Sequence, residues 1–242
     1  MAELWFPVPP LAGDAVLLRP WGEADMPGIV LAFRDPVMRQ FSWRTAPYTE
    51  TDARDFFAEQ EQARLRGKGL SLALAAPRDL DVVLGGISLS EVRVDRGRAA
   101  VGYWLAPGAR GLGVATQAVR LLGRWAFAEL GLARLELTCG PDNESSQHVA
   151  ERCGFSREGL LGLGAPRPGL AGPCAGMHWR ARGGWWYQDH RAQPAERRAR
   201  SGSRGYAGCG CRCRMVPSVR MSPSGHRHWT LPPSNCSWYS DA

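Results

Sequence analysis

The sequence predicts an α+β domain, a mixed and mostly antiparallel sheet flanked by helices, followed by a basic tail with no core of its own. Three observations carry this. Alternating and helical apolar patterns succeed one another as β-α-α-β-β-β-α-β-α-β over the first 165 residues, without an internal repeat. The charge changes sign along the chain: Met1 to Ala165 carries 18 Lys and Arg against 20 Asp and Glu, and Pro166 to Ala242 carries 12 Arg against 3 acids, so the net charge of +7 belongs to the C-terminal part. Finally, Leu, Ile, Val and Phe dwindle there to Leu170, Val216, Val219 and Leu231, too few to build a core, while Gly, Pro and Ser make up about a third of it. We expect an N-terminal extension over 1–13, a domain over 14–182 and a disordered Arg/Gly/Pro/Ser-rich tail over 183–242.

The elements follow in order. "AVLLRP" alternates and stops at Pro20, and Met26, Ile29, Val30 and Phe33 then recur at helical spacing. Thr49, three residues before Asp52, opens a capping-box-like helix that runs to Gly67. "GLSLALAA", "VVLGGISLSEV" and "AAVGYWLAP" read as three antiparallel strands joined by the turns "PRDLD" and "RVDRGR". A helix from Thr116 to Leu130 buries Val119, Leu122, Trp125, Ala126 and Leu130 and closes at Gly131. "LARLELTCG", "DNESSQHVAERCGF" and "SREGLLGLG" complete the pattern as strand, helix and strand.

Several functions are set aside on composition. No apolar run of about 18 residues and no secretory leader pattern is present, so a cytoplasmic protein without a membrane partner is expected. "CGCRC" has one-residue spacings and nothing folded around it, so free thiols are favoured over a metal site. Arginines interleaved with Trp185, Trp186 and Tyr206 would suit RNA, but no RNA-binding module accompanies them.

The chemistry concentrates in "APGARGLGVATQAVRLL". A chain that leaves a strand at Leu105, turns through Gly108, Gly111 and Gly113 and enters a helix leaves backbone N–H groups without intrahelical partners, facing the positive end of the helix dipole. That suits a pyrophosphate, and the glycines let it approach the main chain. A P-loop would need Gly-Lys-Ser/Thr where this chain has Val114-Ala115-Thr116, and a dinucleotide fold would need a third glycine at Thr116 after a parallel strand.

"RGLGVA", with Arg110, Gly113 and Ala115, fits the R/Q-x-x-G-x-G/A motif of the GNAT superfamily of N-acetyltransferases. "PDNESSQHVAERCGF" resembles that superfamily's second acetyl-CoA segment through Asn143, Ser146, Ala150, Glu151, Gly154 and Phe155, and "LLRP" and "GYWLAP" resemble its RimJ/RimL-like ribosomal-protein subgroup. The resemblance covers residues 14 to 163. It implies acetyl transfer from acetyl-CoA, with no metal, to a primary amine, either a protein N-terminus or a small molecule. It places cofactor contacts at Leu105, Arg110, Gly111, Leu112, Gly113, Val114, Ala115, Thr116, Asn143 and Ser146. A backbone N–H near Trp104–Leu105 would hold the oxyanion, and Ser146 would serve the leaving thiolate.

Two departures from the family bear on activity. Relatives often carry a glutamate where this chain has Ala100; Glu91, nearby at a strand end, is the substitute by proximity, with a water chain as the alternative. After Leu163 only "MHWRAR", with Met177, Trp179 and Ala181 on one face, can supply a last strand. A different class of function therefore stays open, a non-catalytic acyl-CoA-binding or RNA-associated protein, and the oligomeric state is not specified.

Overall fold

The computed structural model describes residues 3–41, 48–163 and 174–183, together with the short backbone stretches 220–221 and 227–228. Contacts divide the chain into a unit from Met1 to Pro194 and a second from Ala195 to Ala242. The tail expected to be disordered lies largely outside the described residues; within the second unit they form an antiparallel pair of two-residue strands.

The first unit is an eight-stranded sheet. Its strands are β1 (Leu11–Ala12), β2 (Leu17–Arg19), β3 (Leu70–Ala76), β4 (Asp79–Arg93), β5 (Arg98–Leu105), β6 (Arg134–Cys139), β7 (Ser156–Leu163) and β8 (Cys174–Arg182). They are ordered β1-β2-β3-β4-β5-β6-β8-β7. Every neighbouring pair is antiparallel except β5 and β6, which run parallel over Arg98–Ala100 and Arg134–Glu136. The helices are α1 (Met26–Phe33), α2 (Pro36–Phe41), α3 (Glu50–Leu65), α4 (Val114–Ala128) and α5 (Glu144–Arg152).

Residues of β5 show how the sheet divides two layers. Ala99 and Val101 join the large core beneath α4 and α5, with Tyr103 and Leu105 packed against it. Trp104 points the other way, onto a smaller core under α1 and α3 built on Ile29, Val30, Tyr48 and Ala53. Alternation in a strand dictates this split, because successive side chains take opposite faces. The inner strand β3 is apolar and buried almost throughout, as a strand covered on both faces must be.

Local chemistry sets the helix ends. Thr49 Oγ1 accepts from the Asp52 N–H at 3.3 Å while the Thr49 N–H donates to Asp52 Oδ2 at 2.8 Å, the reciprocal cap that the sequence predicts for α3. Helix α4 begins at Val114 rather than Thr116 and ends at Ala128 rather than Leu130, because Gly113 at φ 77° takes the N-cap and Glu129 the C-cap. Gly131 is left-handed, two residues beyond that cap. The turn between β3 and β4 is also shorter than "PRDLD", since β4 already starts at Asp79.

The sheet reaches both ends of the expected domain, and at its C-terminal end the expected last strand is present. The described residues before 14 are joined to the domain: β1 pairs with β2, Leu4 is buried, and Arg64 of α3 holds the Leu4 carbonyl at 2.7 Å. "MHWRAR" does form a strand within β8, which lies between β6 and β7 with Met177, Trp179 and Ala181 buried.

Candidate active site

Strands β5 and β6 are partners only at their starts. Beyond Ala100 and Glu136 they diverge, and the second half of β5 keeps β4 as its partner on one side alone. The Ala106 N–H donates to the Leu84 carbonyl at 2.9 Å, toward β4. In an antiparallel pair the main-chain groups of alternate residues face alternate sides, so the Leu105 N–H faces the gap. An oxygen placed there would meet a fixed donor.

A cavity of about 710 Å³ occupies this gap and passes through the sheet. On the α4 side it is lined by Arg110, Gly111, Gly113, Val114, Ala115 and Thr116, and by Asn143, Ser146, His148 and Arg152 of α5 and its cap. Gln117 is the first residue of α4 whose N–H closes a helical bond, to the Gly113 carbonyl at 3.0 Å. The three N–H groups before it are left for a ligand. Gly111 and Gly113 are left-handed at φ 74° and 77°, and a Cβ on either would meet nothing within 4 Å, so their surroundings are open as a ligand cradle requires.

Asn143 caps α5 by accepting the Ser146 N–H at 3.1 Å, which leaves its amide nitrogen uncommitted by that bond. Ser146, in the first turn, has the buried Tyr103 hydroxyl near its side chain. Burial pushes the Tyr103 pKa far above its ordinary value, and Ser146 works against that push. The hydroxyl nevertheless closes no hydrogen bond of good geometry among the described residues. Arg110 is committed to the protein: its Nη2 donates to Asp35 Oδ2 at 2.6 Å and to the Leu105 carbonyl at 3.3 Å. The Asp35 carboxyl is held below its ordinary range chiefly by that bond.

On the other side of the sheet the cavity is aromatic. Phe33, Tyr48, Phe56 and Trp104 line it, and Trp21 stacks on Trp104 with centroids 6.1 Å apart. Gly86 makes room for this stack, since a Cβ there would lie 2.6 Å from Trp104 Nε1 and 2.8 Å from Trp21 Cζ2.

The structure brings together Leu105, Arg110, Gly111, Gly113, Val114, Ala115, Thr116, Asn143 and Ser146. Two expected residues fall outside. Leu112 is 67% exposed and away from the cavity lining, because the turn directs its side chain to solvent between the two left-handed glycines. Glu91 does not line the cavity: it sits exposed at a bulge of β4 with φ 50°, three residues beyond the Gly86–Ser88 stretch that meets it. Ala100 supplies no titratable group, and no carboxylate among the described residues lines the cavity. Sequence reasoning missed the aromatic side of the cavity, Asp35 as the partner of Arg110, and Tyr103 beside Ser146. Alternation along "GYWL" was the one available signal, since it sends Tyr103 and Trp104 to opposite faces.

Comparison with known proteins agrees with this geometry. A family model described as an acetyltransferase (GNAT) domain matches residues 15–156. The Bacillus subtilis protein named "Probable N-acetyltransferase YjcK" is 31% identical over 156 residues, covering 62% of this chain and 85% of that one. The Escherichia coli ribosomal-protein-serine acetyltransferase is 37% identical over 82 residues, 34% of this chain and 45% of that protein. Mycobacterium smegmatis RimJ, solved in complex with CoA-disulfide, shares the fold with a TM-score of 0.61 at 21% identity, covering 72% of this chain and 88% of that one. With a left-handed glycine turn feeding α4, strands that part above it and a family match spanning most of the first unit, the chain belongs to the GNAT family of acetyltransferases.

Proposed function

We propose that the chain transfers the acetyl group of acetyl-CoA to the α-amine of a protein N-terminus, as a RimJ/RimL-like enzyme. One observation carries the reading: the Leu105 N–H faces the gap between β5 and β6, in a cavity lined also by the N-terminus of α4, with its free N–H groups, and by Ser146 of α5. The turn at Gly111 and Gly113 would take the pyrophosphate, Arg152 and His148 add positive or polar groups to that wall, and the pantetheine arm would lie in the gap.

Transfer proceeds by direct attack. The amine nitrogen forms a bond to the thioester carbonyl carbon, and the carbonyl oxygen, now an oxyanion, accepts the Leu105 N–H. Collapse breaks the carbon–sulfur bond, and the departing thiolate takes a proton from the Ser146 hydroxyl, which recovers one, through solvent, from the nitrogen that has just been acylated. Without a carboxylate among the described lining residues, the acceptor must arrive largely as free amine. An α-amine with a pKa near ~8 does so far more readily than a lysine near ~10.4. That difference favours an N-terminus over a lysine side chain, and the E. coli relative named for a ribosomal protein points the same way.

The test is thiol release from acetyl-CoA, followed with short peptides bearing a free α-amine, α-blocked peptides containing lysine, and small amines. Release with the first set supports the reading. Release with small amines alone would move the acceptor to a small molecule, and binding of acetyl-CoA without turnover would leave an acyl-CoA-binding protein.

A further inference from the structure

The cleft opens onto a sheet face whose charge the transfer reaction does not use. Cα partners align Arg93 with Arg98, Arg98 with Arg134 and Arg134 with Arg182. Partners in adjacent strands project to the same face, so a row crossing β4, β5, β6 and β8 consists of arginine throughout. Like charges placed directly opposite one another destabilise a sheet, and the local compensation is small. Arg98 and Arg134 share Glu136, at 3.8 and 2.7 Å. Glu158, 3.5 Å from Arg134, is also in contact with Arg180 and lies 3.4 Å from His178. Arg93 and Arg182 are exposed, and no ion pair to either is found among the described residues. Desolvation, and then repulsion from Arg134 and Arg182, holds the Arg180 guanidinium below its ordinary range.

The position of the row says what it would meet. Arg98, Ala100, Gly102 and Trp104 occupy one face of β5 by alternation, and Trp104 belongs to the aromatic side of the cavity. The row is thus on the acceptor side, six residues from Trp104, or about 20 Å at the ordinary strand rise. Between them β5 and β4 carry only small side chains, Gly102 partnered by Ser88 and Ala100 by Ser90, while on the β6 side Ala100 is partnered by Glu136, whose carboxylate is already paired with Arg98 and Arg134. An extended chain leaving the aromatic pocket would lie over this low track and reach the arginines after about six residues.

We infer that the acceptor is a protein whose N-terminal segment runs along this track and presents carboxylates to the row Arg93–Arg98–Arg134–Arg182 at about its fifth to eighth residues. The inference rests on the α-amine reading above. A nucleic acid fits less well: no aromatic ring stands in the row to stack a base, and a nucleic acid would leave the continuity with the acceptor pocket unexplained.

The experiment uses the full chain, acetyl-CoA and peptides that share their first four residues but carry Glu, Gln or Lys at positions five to eight. The expected kcat/KM for the Glu series exceeds that for the Gln series by about tenfold at low salt, and the ratio shrinks as ionic strength rises. In an Arg93→Glu/Arg182→Glu variant the preference should pass to the Lys series, with a melting curve no lower than that of the parent, since the substitution relieves like-charge repulsion. Equal transfer to all three series would overturn this inference and leave the N-terminal acetyltransferase reading standing. Transfer to small amines but to no peptide would overturn both. Inhibition by single-stranded RNA at concentrations below the KM of the Glu peptide would assign the row to nucleic acid and overturn the inference alone.

Discussion

Arg110 and Asp35, 75 positions apart in the chain, are joined by a single 2.6 Å bond that ties the glycine turn before α4 to the residue between α1 and α2. Asp35 also accepts the Met38 N–H at 3.0 Å, so one carboxylate caps α2 and steers the arginine. Arg110 in turn holds the carbonyl of Leu105, the residue whose N–H faces the gap. Position 110 therefore shapes the site by orienting main chain, in addition to any contact with phosphate.

Breaking that bond should loosen the turn. Asp35→Asn and Arg110→Ala are each expected to weaken acetyl-CoA binding, and a double-mutant cycle should return a coupling of about 0.5–1 kcal/mol, modest because both side chains touch solvent. The pH dependence has a definite sign. The folded Asp35 carboxyl lies below its ordinary value of 3.8, so its contribution is present above that value and is lost as pH falls through the depressed one. Binding titrations from pH 7 down to pH 5 should show no loss from this pair; a loss centred near neutrality would implicate another group.

Gly113→Val should reduce acetyl-CoA affinity at least tenfold, about 1.4 kcal/mol. The cause is twofold. A β-branched residue is strained at φ 77°, and its side chain would project into the open space before the free N–H groups of α4. Calorimetry on a folded variant with unchanged affinity would remove the pyrophosphate assignment.

Ser146→Ala should lower kcat by about 10²-fold while leaving acetyl-CoA affinity nearly unchanged. Tyr103→Phe separates chemistry from structure. It deletes a buried hydroxyl that closes no good hydrogen bond, so stability should hold or rise. A fall in kcat alongside that stability would make Tyr103 the group that orients Ser146; unchanged kcat would leave it as packing.

Removing β8 should cost the domain its fold. Deleting residues from 164 onward takes an inner strand away from β6 and β7 together, exposing two new sheet edges and losing Trp179 from the core. Trp179→Ala alone should destabilise by about 3–5 kcal/mol. Deletion from 184 onward keeps β8, and by composition the remaining chain has few aliphatic groups to bury, so the melting temperature should stay close to that of the full chain. Equal melting curves for the two truncations would contradict the placement of β8.

The elements themselves were legible because each rests on short-range chemistry. Alternation in "GLSLALAA", the Thr49/Asp52 cap and the spacing of Val119, Leu122 and Ala126 act within one or two turns of the chain, and all appear where the pattern places them. The turn at Gly111 and Gly113 was legible for the same reason, since left-handed backbone ahead of a helix needs residues without a Cβ. Glu91 shows where proximity along the chain misleads. It follows the β4 stretch that borders the cavity by three residues, yet at a bulge of the strand it falls outside the lining.

By itself the sequence determined the order and type of the elements other than β1 and α2, the glycine turn ahead of α4 and the family, all properties written in local spacing or in motifs a few residues long. Only the tertiary structure decided which strands part and which remain paired, and therefore that the Leu105 N–H faces an open gap. It also brought Phe33, Tyr48, Phe56 and Trp104 into one aromatic wall, set Asp35 against Arg110, inserted β8 between β6 and β7, and aligned four arginines from four strands. Each of these is a contact between residues distant in the chain, fixed by strand register and by which face of the sheet a helix covers. Pairing register is a property of two segments at once, and no window along one segment contains it.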